Sequence, residues 1–349
     1  MTEKPLAVFR CDASSRTGGG HVLRSMTLAR GLERDGWRVA FAIGGETLAS
    51  VPALAQAGWR VEAGFDAADM EPARFRRLWP EGARLAVIDH YGRAASDEQA
   101  LRPWARHCLV IDDLAAREHV CEVLLDTAVG RVAAHYQGLV APGTELLLGP
   151  AYALIREEFH VAAAQASTTI AQRSAAPVRR VLLAFGMTDL GGITDRVAGL
   201  LLALAPALRF EAIVGPNGEG RAALEARARA EPRLTVHVAP PNVALIMART
   251  DLAVGAGGQT TFERCCLGLP SIALSIADNQ KGALRALARR GALLHVNAMP
   301  RLDETALAQA FTDLAASPDR RRAMAEAAGG ICDGGGVARI VRHLRGLKA

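Results

Sequence analysis

The feature that most constrains the fold of this chain is a repeated change of period. Short apolar, β-prone runs recur along its 349 residues, and amphipathic helical stretches separate most of them. Strands that alternate with helices build βαβ units wound into parallel sheets, whereas a β-sandwich would show strand after strand. In the first half the runs fall at 6–12, 38–43, 59–62, 85–90, 108–112, 122–126 and 145–148. In the second half they fall at 180–185, 210–214, 234–238, 252–254 and 271–274. Helices are expected between these later strands at 193–204, 219–230, 243–248, 260–267 and 279–290, then over 303–328 and 337–347. Runs that are apolar at successive positions belong to strands covered by helices on both faces.

Between the two blocks lies AAAQASTTIAQRSAAPV, residues 162–178, small and without pattern, which reads as an interdomain linker. The expected organisation is a Rossmann-like domain at 1–161, the linker at 162–178 and a second Rossmann-like domain at 179–335. A terminal helix at 336–349 would pack back on the first domain. Two such domains facing across a cleft is the α/β architecture this implies, with ligands at the carboxyl ends of the strands.

Composition narrows the class. Half the residues are apolar and 22% charged, which excludes a disordered chain. The 41 basic residues outnumber the 36 acidic ones but form no runs, and only 5% of residues are aromatic. Nucleic-acid binding needs a concentrated basic face, so no nucleic-acid partner is expected. A mildly basic surface suits a small anionic ligand. The six cysteines, Cys11, Cys108, Cys121, Cys265, Cys266 and Cys332, show no CxxC spacing and point to a reducing compartment rather than structural zinc. The first residues carry no signal pattern, and no apolar run approaches the ~18 residues of a membrane span. A cytoplasmic protein without a membrane partner, monomeric or weakly dimeric, is expected.

Chemistry concentrates at strand ends. The first strand ends at Asp12, and Gly18, Gly19 and Gly20 then lead through His21 into a helix that carries Arg24. Glycines admit close backbone approach, and a helix N-terminus offers unpaired N–H groups and partial positive charge. At that position the dipole disfavours an imidazolium, so His21 suits a general base. The loop matches neither GxGxxG nor the GK[ST] phosphate loop. A second loop, GAGGQTTFE at 255–263, again joins a strand to a helix. Its amides and the hydroxyls of Thr260 and Thr261 can hold a diphosphate, and Glu263 can accept from both hydroxyls of a ribose. Asp112 and Asp113 are neighbours on a strand and point to opposite faces, which argues against joint metal ligation. Tyr91 and Asn279 stand where a side chain can touch a sugar.

Taken together, GGGHVLRSMTLA, IDHYG, IDDLAAREH, YALIREEF at 152–159, VRRVLLAFGMTD, GAGGQTTFERCCLGLP and ADNQ resemble one family nearly end to end. It is that of the UDP-2,4-diacetamido-2,4,6-trideoxy-β-L-altropyranose hydrolases of pseudaminic acid biosynthesis, relatives of GT-B glycosyltransferases. The resemblance implies a GT-B-like fold and a UDP-sugar substrate released as free sugar and UDP. It also implies catalytic roles for His21 and Tyr91, and sugar contacts from Asn279, Gln280, Asp12, Gly19, Gly20 and Arg24. The UDP site would be Gly186, Gly257, Gly258, Gln259, Thr260, Thr261 and Glu263. The chain departs from the family pattern at Met187, Gln259 and Phe262.

The implied reaction is inverting hydrolysis, with His21 activating water and the second loop stabilising the departing diphosphate; no metal or cofactor is required. The alternatives are a GT-B glycosyltransferase with a UDP-HexNAc donor, or a non-catalytic nucleotide-sugar-binding protein. Transferases acting on lipid carriers usually show an apolar and basic patch beside the first domain's cleft, and no such segment precedes Trp104.

Overall fold

The computed structural model describes residues 4–14, 17–65 and 72–347, without the side chains of 166–173 and 175. It divides into two units, residues 1–154 with 335–349 and residues 155–334. The first runs β1 (Leu6–Cys11), α1 (Gly20–Arg34), β2 (Arg38–Ala42), α2 (Thr47–Ser50), β3 (Arg60–Glu62), α3 (Pro72–Leu78), β4 (Ala83–Asp89), α4 (Ala95–Leu101), β5 (Ala105–Ile111), β6 (Val123–Asp126) and β7 (Glu145–Leu148). The second runs α5 (Glu157–Ala175), β8 (Arg180–Ala184), α6 (Ile193–Leu204), β9 (Arg209–Val214), α7 (Arg221–Ala230), β10 (Leu234–Val238), α8 (Val243–Ala248), β11 (Leu252–Ala256), α9 (Gln259–Cys266), β12 (Ser271–Ser275), α10 (Asp278–Arg289), β13 (Leu294–Asn297), α11 (Glu304–Ala316) and α12 (Pro318–Gly329). The chain then returns to the first unit as α13 (Gly336–Arg345).

Both sheets are parallel throughout. Their orders are β3-β2-β1-β4-β5-β6-β7 and β10-β9-β8-β11-β12-β13. In each, the order reverses between the first strand and the fourth, which opens a crevice at their carboxyl ends. The register of the first sheet sets Cys11 opposite Asp89, so the last residues of β1 and β4 are neighbours.

The first sheet is apolar on both faces because its strands alternate between two cores. Ala7, Phe9 and Cys11, with Phe41, Val87 and Ile111, pack under α1 and α13. Leu6, Val8, Ala40, Ile88 and Val110 pack under Phe65, Phe75, Trp79 and Trp104. Each such side chain contributes roughly 1.5–3 kcal/mol of burial. Helices α1 and α13 meet at Gly31, where a Cβ would lie 2.4 Å from Val337 Cγ1, so only glycine allows this approach.

Three expectations are corrected. Most of the stretch read as a linker is α5, which packs along α12, α8 and α9 inside the second unit. Its alanines favour helix without producing an apolar stripe, which hid it from a periodicity argument. Buried Arg321 closes its end, donating to the carbonyls of Ser174 and Ala176 at 3.2 and 2.6 Å. The helix expected at 303–328 is two helices. Ser317 caps the second, accepting from the Arg320 N–H, and Pro318 opens it. Strand β13 was missed, being four residues long and half polar. Among the described residues no helix is long and apolar enough to cross a membrane.

Candidate active site

In the first unit the loop after β1 delivers His21 to the first turn of α1. Gly18 has φ +71°, and a Cβ on Gly19 would come within 2.9 Å of Val51 Cγ2, whereas Gly20 faces open space. Residues 15 and 16 of this loop lie outside the described residues.

His21 Nδ1 lies 2.6 Å from Asp89 Oδ1. An ionised carboxylate only accepts, so Nδ1 carries the proton and Nε2 is left with its lone pair outward. Asp89 is fully buried. It also accepts from Arg24 Nε at 2.7 Å and Nη2 at 2.5 Å, and from the Ser25 hydroxyl at 3.3 Å. Burial opposes its ionisation, but the charge of Arg24 and the hydrogen bonds from Arg24 and His21 outweigh that and hold the carboxyl below the usual range. Arg24 Nη1 donates to Asp113 at 2.9 Å. The Tyr91 ring meets the imidazole edge-on, with centroids 4.5 Å apart.

The IDHYG segment thereby gains a role at each polar position. Asp89 holds His21, and His90 accepts from the Gly92 N–H at Nδ1 (2.9 Å). That leaves His90 Nε2 as the N–H facing Asp12 Oδ2 at 3.1 Å. Gly92 must be glycine, since a Cβ there would lie 2.9 Å from His90 Cε1. Arg117 clasps the same turn. It donates to the carbonyls of His90 (3.2 Å), Tyr91 and Arg93 (2.5 Å), and to Asp112 at 2.9 Å.

Two of the expected sugar contacts, Arg24 and Asp12, have protein partners. Arg24 spends its guanidinium on Asp89 and Asp113. Asp12 accepts from the Gly44 N–H at 2.6 Å and from Arg10, and faces His90. Asp112 and Asp113, expected on a strand, lie just past the end of β5 and still diverge: Asp112 caps the Ala115 N–H at 2.8 Å and Asp113 turns to Arg24.

In the second unit the loop between β11 and α9 carries most of the expected nucleotide site. Gly258 has φ +116°, a conformation that favours glycine, and it caps α9. The amides of Gly258, Gln259 and Thr260 stand at this helix start, where intrahelical acceptors are lacking. Gly257 and Thr261 are different. The Gly257 N–H donates to Leu274 O, the Thr261 N–H to Gly258 O, and the buried Thr261 hydroxyl turns back to Ala256 O and Arg264. Both thereby help to shape the loop. Gln280 is likewise structural: its Oε1 accepts from the Ile276 N–H at 3.0 Å, and its side chain lies over Gly257. Asn279 is exposed on the first turn of α10, and Gly186, with φ +99°, ends β8 beside open space.

Glu263 is only 4% exposed. Arg156, from the IREEF segment, donates to its Oε1 at 3.0 Å, while buried Oε2 has no partner among the described residues. Burial works against the charge of Arg156, yet Glu263 and Glu158 raise its pKa above the ordinary value.

Sequence reasoning missed Asp89, Asp113, Arg117 and Arg156. The register signal was present for Asp89: in a doubly wound sheet, the end of the fourth strand lies beside the loop after the first.

No family model matches the chain. It is 29% identical over 160 residues to the UDP-2,4-diacetamido-2,4,6-trideoxy-β-L-altropyranose hydrolase of Campylobacter jejuni, a match covering 44% of this chain and 53% of that protein. It is 23% identical over 214 residues to the spore coat polysaccharide biosynthesis protein SpsG of Bacillus subtilis, covering 60% of each. The chain thus spans 53% and 60% of the curated relatives it matches. Solved structures align over nearly all of it. MurG of Acinetobacter baumannii gives a TM-score of 0.69 at 16% identity, covering 98% of this chain and 99% of that one. The UDP-GlcNAc 2-epimerase of Neisseria meningitidis bound to UDP-GlcNAc gives 0.59 at 12%, covering 98% and 100%. The spinosyn rhamnosyltransferase SpnG with thymidine diphosphate gives 0.62 at 16%, with the same coverage. The fold is that of the GT-B group, two parallel-sheet α/β domains.

Proposed function

We propose that this chain hydrolyses a UDP-linked 2,4-diacetamido-2,4,6-trideoxy sugar, with the β-L-altropyranose as the leading candidate, in the formation of pseudaminic acid. The observation that carries this reading is the Asp89-oriented His21, whose Nδ1 is held by a buried carboxylate that Arg24 and Ser25 also engage. His21 Nε2 removes a proton from water and the water oxygen bonds to the anomeric carbon. The bond from that carbon to the diphosphate oxygen breaks, and UDP leaves with inversion. The start of α9 receives the diphosphate, and Glu263 Oε2, buried and without a partner among the described residues, accepts a ribose hydroxyl. Tyr91 lines the reacting centre and Asn279 contacts the sugar.

The test is to incubate the protein with the UDP-sugar and follow UDP release and product configuration by NMR. His21→Asn should lower turnover about 100-fold or more with UDP affinity kept. Turnover unchanged in that variant removes His21 from the mechanism.

A glycosyltransferase is the second reading. The same base would deprotonate an acceptor hydroxyl, and Leu114 and Val132, 40% and 52% exposed on loops after β5 and β6, would offer an acceptor apolar contact. Free reducing sugar formed without any acceptor decides for hydrolysis; UDP release only on adding an acceptor decides for transfer.

A further inference from the structure

Beneath the loop of the second unit lies a cation that neither the sequence motifs nor the proposed chemistry uses. Arg264, in α9, is 1% exposed. Its Nη2 donates to Ala256 O at 2.8 Å and to Thr261 Oγ1 at 3.0 Å, while Nε and Nη1 have no partner among the described residues. Other buried arginines are compensated. Arg10 pairs with Asp12, Arg93 with Asp97, and Arg321 meets four carbonyls at two helix ends. Arg264 makes no ion pair among the described residues. The carboxylate beside it in sequence, Glu263, is engaged by Arg156. Burial consequently depresses the guanidinium to about 10, more than Cys265 and Glu263 restore.

The niche is built for this side chain. At Gly255 in β11, a Cβ would fall 2.2 Å from Arg264 Nη1 and 2.3 Å from Ala184 O, so the strand gives up a side chain to admit the guanidinium. A buried charge without a counter-charge costs several kcal/mol, and solvent screens its field weakly.

We infer that Arg264 is a buried counter-charge for the diphosphate: bound at the first turn of α9, the anion completes an electrostatic pair that the unliganded protein leaves open. Arg264 acts through Thr261 and the end of β11 without touching the ligand, as a positioning and field-setting residue. This rests on the nucleotide reading above. It adds that the preference for diphosphate over bare nucleoside comes in large part from one side chain below the loop.

Calorimetric titration with UDP, UMP and uridine tests it. The neutral variant Arg264→Met should weaken UDP about tenfold or more and uridine less than about twofold, with the melting temperature of the unliganded protein held or raised. Arg264→Lys should keep most of the UDP-over-uridine preference. Equal loss for UDP and uridine would mark a merely structural residue and overturn the inference, as would undiminished UDP binding. Should Arg264→Met fail to fold, the lysine variant decides alone, and loss of the preference there overturns the inference. A wild-type protein that binds uridine but gains nothing from the phosphates also refutes it. One that binds none of the three refutes the nucleotide reading itself.

Discussion

Replacing Asp89 by asparagine isolates the electrostatic part of the site, because the two side chains have nearly the same shape. In the native protein the imidazolium formed on proton abstraction would face a carboxylate 2.6 Å from Nδ1, with Arg24 Nη2 3.2 Å from the same nitrogen. At a charge separation of about 4 Å and an effective dielectric of ~20, carboxylate and imidazolium attract by about 4 kcal/mol. The amide forfeits most of this and leaves Arg24 repelling the imidazolium. An amide can also donate to Nδ1, which would move the proton to Nε2 and remove the basic lone pair. Turnover should therefore fall by about 100- to 1000-fold. UDP affinity, measured by calorimetry, should stay within about twofold, since the nucleotide loop belongs to the other unit. Folding stability should drop by roughly 3–5 kcal/mol, because half-buried Arg24 keeps only Asp113 as a charged partner, so assays belong well below the lowered melting temperature. The decisive comparison is a double-mutant cycle. In a His21→Ala background, Asp89→Asn should cost almost nothing further in rate. Full additivity, or a single variant within about threefold of wild type, would refute the coupling of the two residues.

Other perturbations have equally definite signs. Glu263→Ala should raise the Michaelis constant and weaken competition by free UDP, with turnover at saturation little changed; unaltered competition removes the ribose contact. Gly92→Ala should lower activity while UDP binding persists, because the added methyl displaces His90 from Asp12; wild-type kinetics would show that this turn tolerates the shift. Asp12 is held below the usual carboxylate range. Burial opposes that, but His90 and Arg10 outweigh it. Its folded pKa lies below the unfolded one, so its stabilisation is present above about pH 4 and lost as pH falls through the folded value. Asp12→Asn should flatten the decline of melting temperature between about pH 5 and about pH 3, and parallel curves would contradict this.

The parallel architecture was legible because βα alternation is written into apolar spacing, and strand assignments within a residue or two suffice to set topology. Helix α5 was not legible, since its alanines encode propensity without a face. At the site, His21 and the glycine loops could be read locally: a strand end, glycines and a helix start are contiguous in sequence. Asp89 could not, because its meaning depends on β4 lying beside β1 and on partners in α1 that stand 65 and 68 residues away in sequence. The protein partners of Arg24, Asp12 and Thr261 were not legible for a related reason. Polar residue type signals an interaction, and only the fold reveals whether the partner is a ligand or another side chain.

The charge state of Asp89 also bears on which glycosides this site can cleave. Hydrolysis of an ordinary glycoside needs one carboxyl group to protonate the leaving oxygen and another to activate water or attack. The carboxyl in contact with His21 cannot be that acid, because Arg24 and His21 keep it ionised well below the usual range despite burial. Arg24, whose guanidinium Asp89 and Asp113 hold above its ordinary value against burial, brings no transferable proton near neutral pH. On the proposed reading, His21 is then a base that neither Asp89 nor Arg24 matches with an acid, which suffices only when the leaving group departs as a stable anion. A diphosphate does so and an alkoxide does not. The methyl glycoside of the sugar released from the UDP conjugate should therefore be inert at enzyme concentrations that turn over the UDP-sugar completely, as followed by NMR. The glycosyl fluoride of matching anomeric configuration, whose leaving group needs no strong acid, should react measurably and accelerate when UDP is added to fill the nucleotide loop. Cleavage of the methyl glycoside at a comparable rate would mean that an acid operates in this site, and that assigning His21 solely as base is wrong.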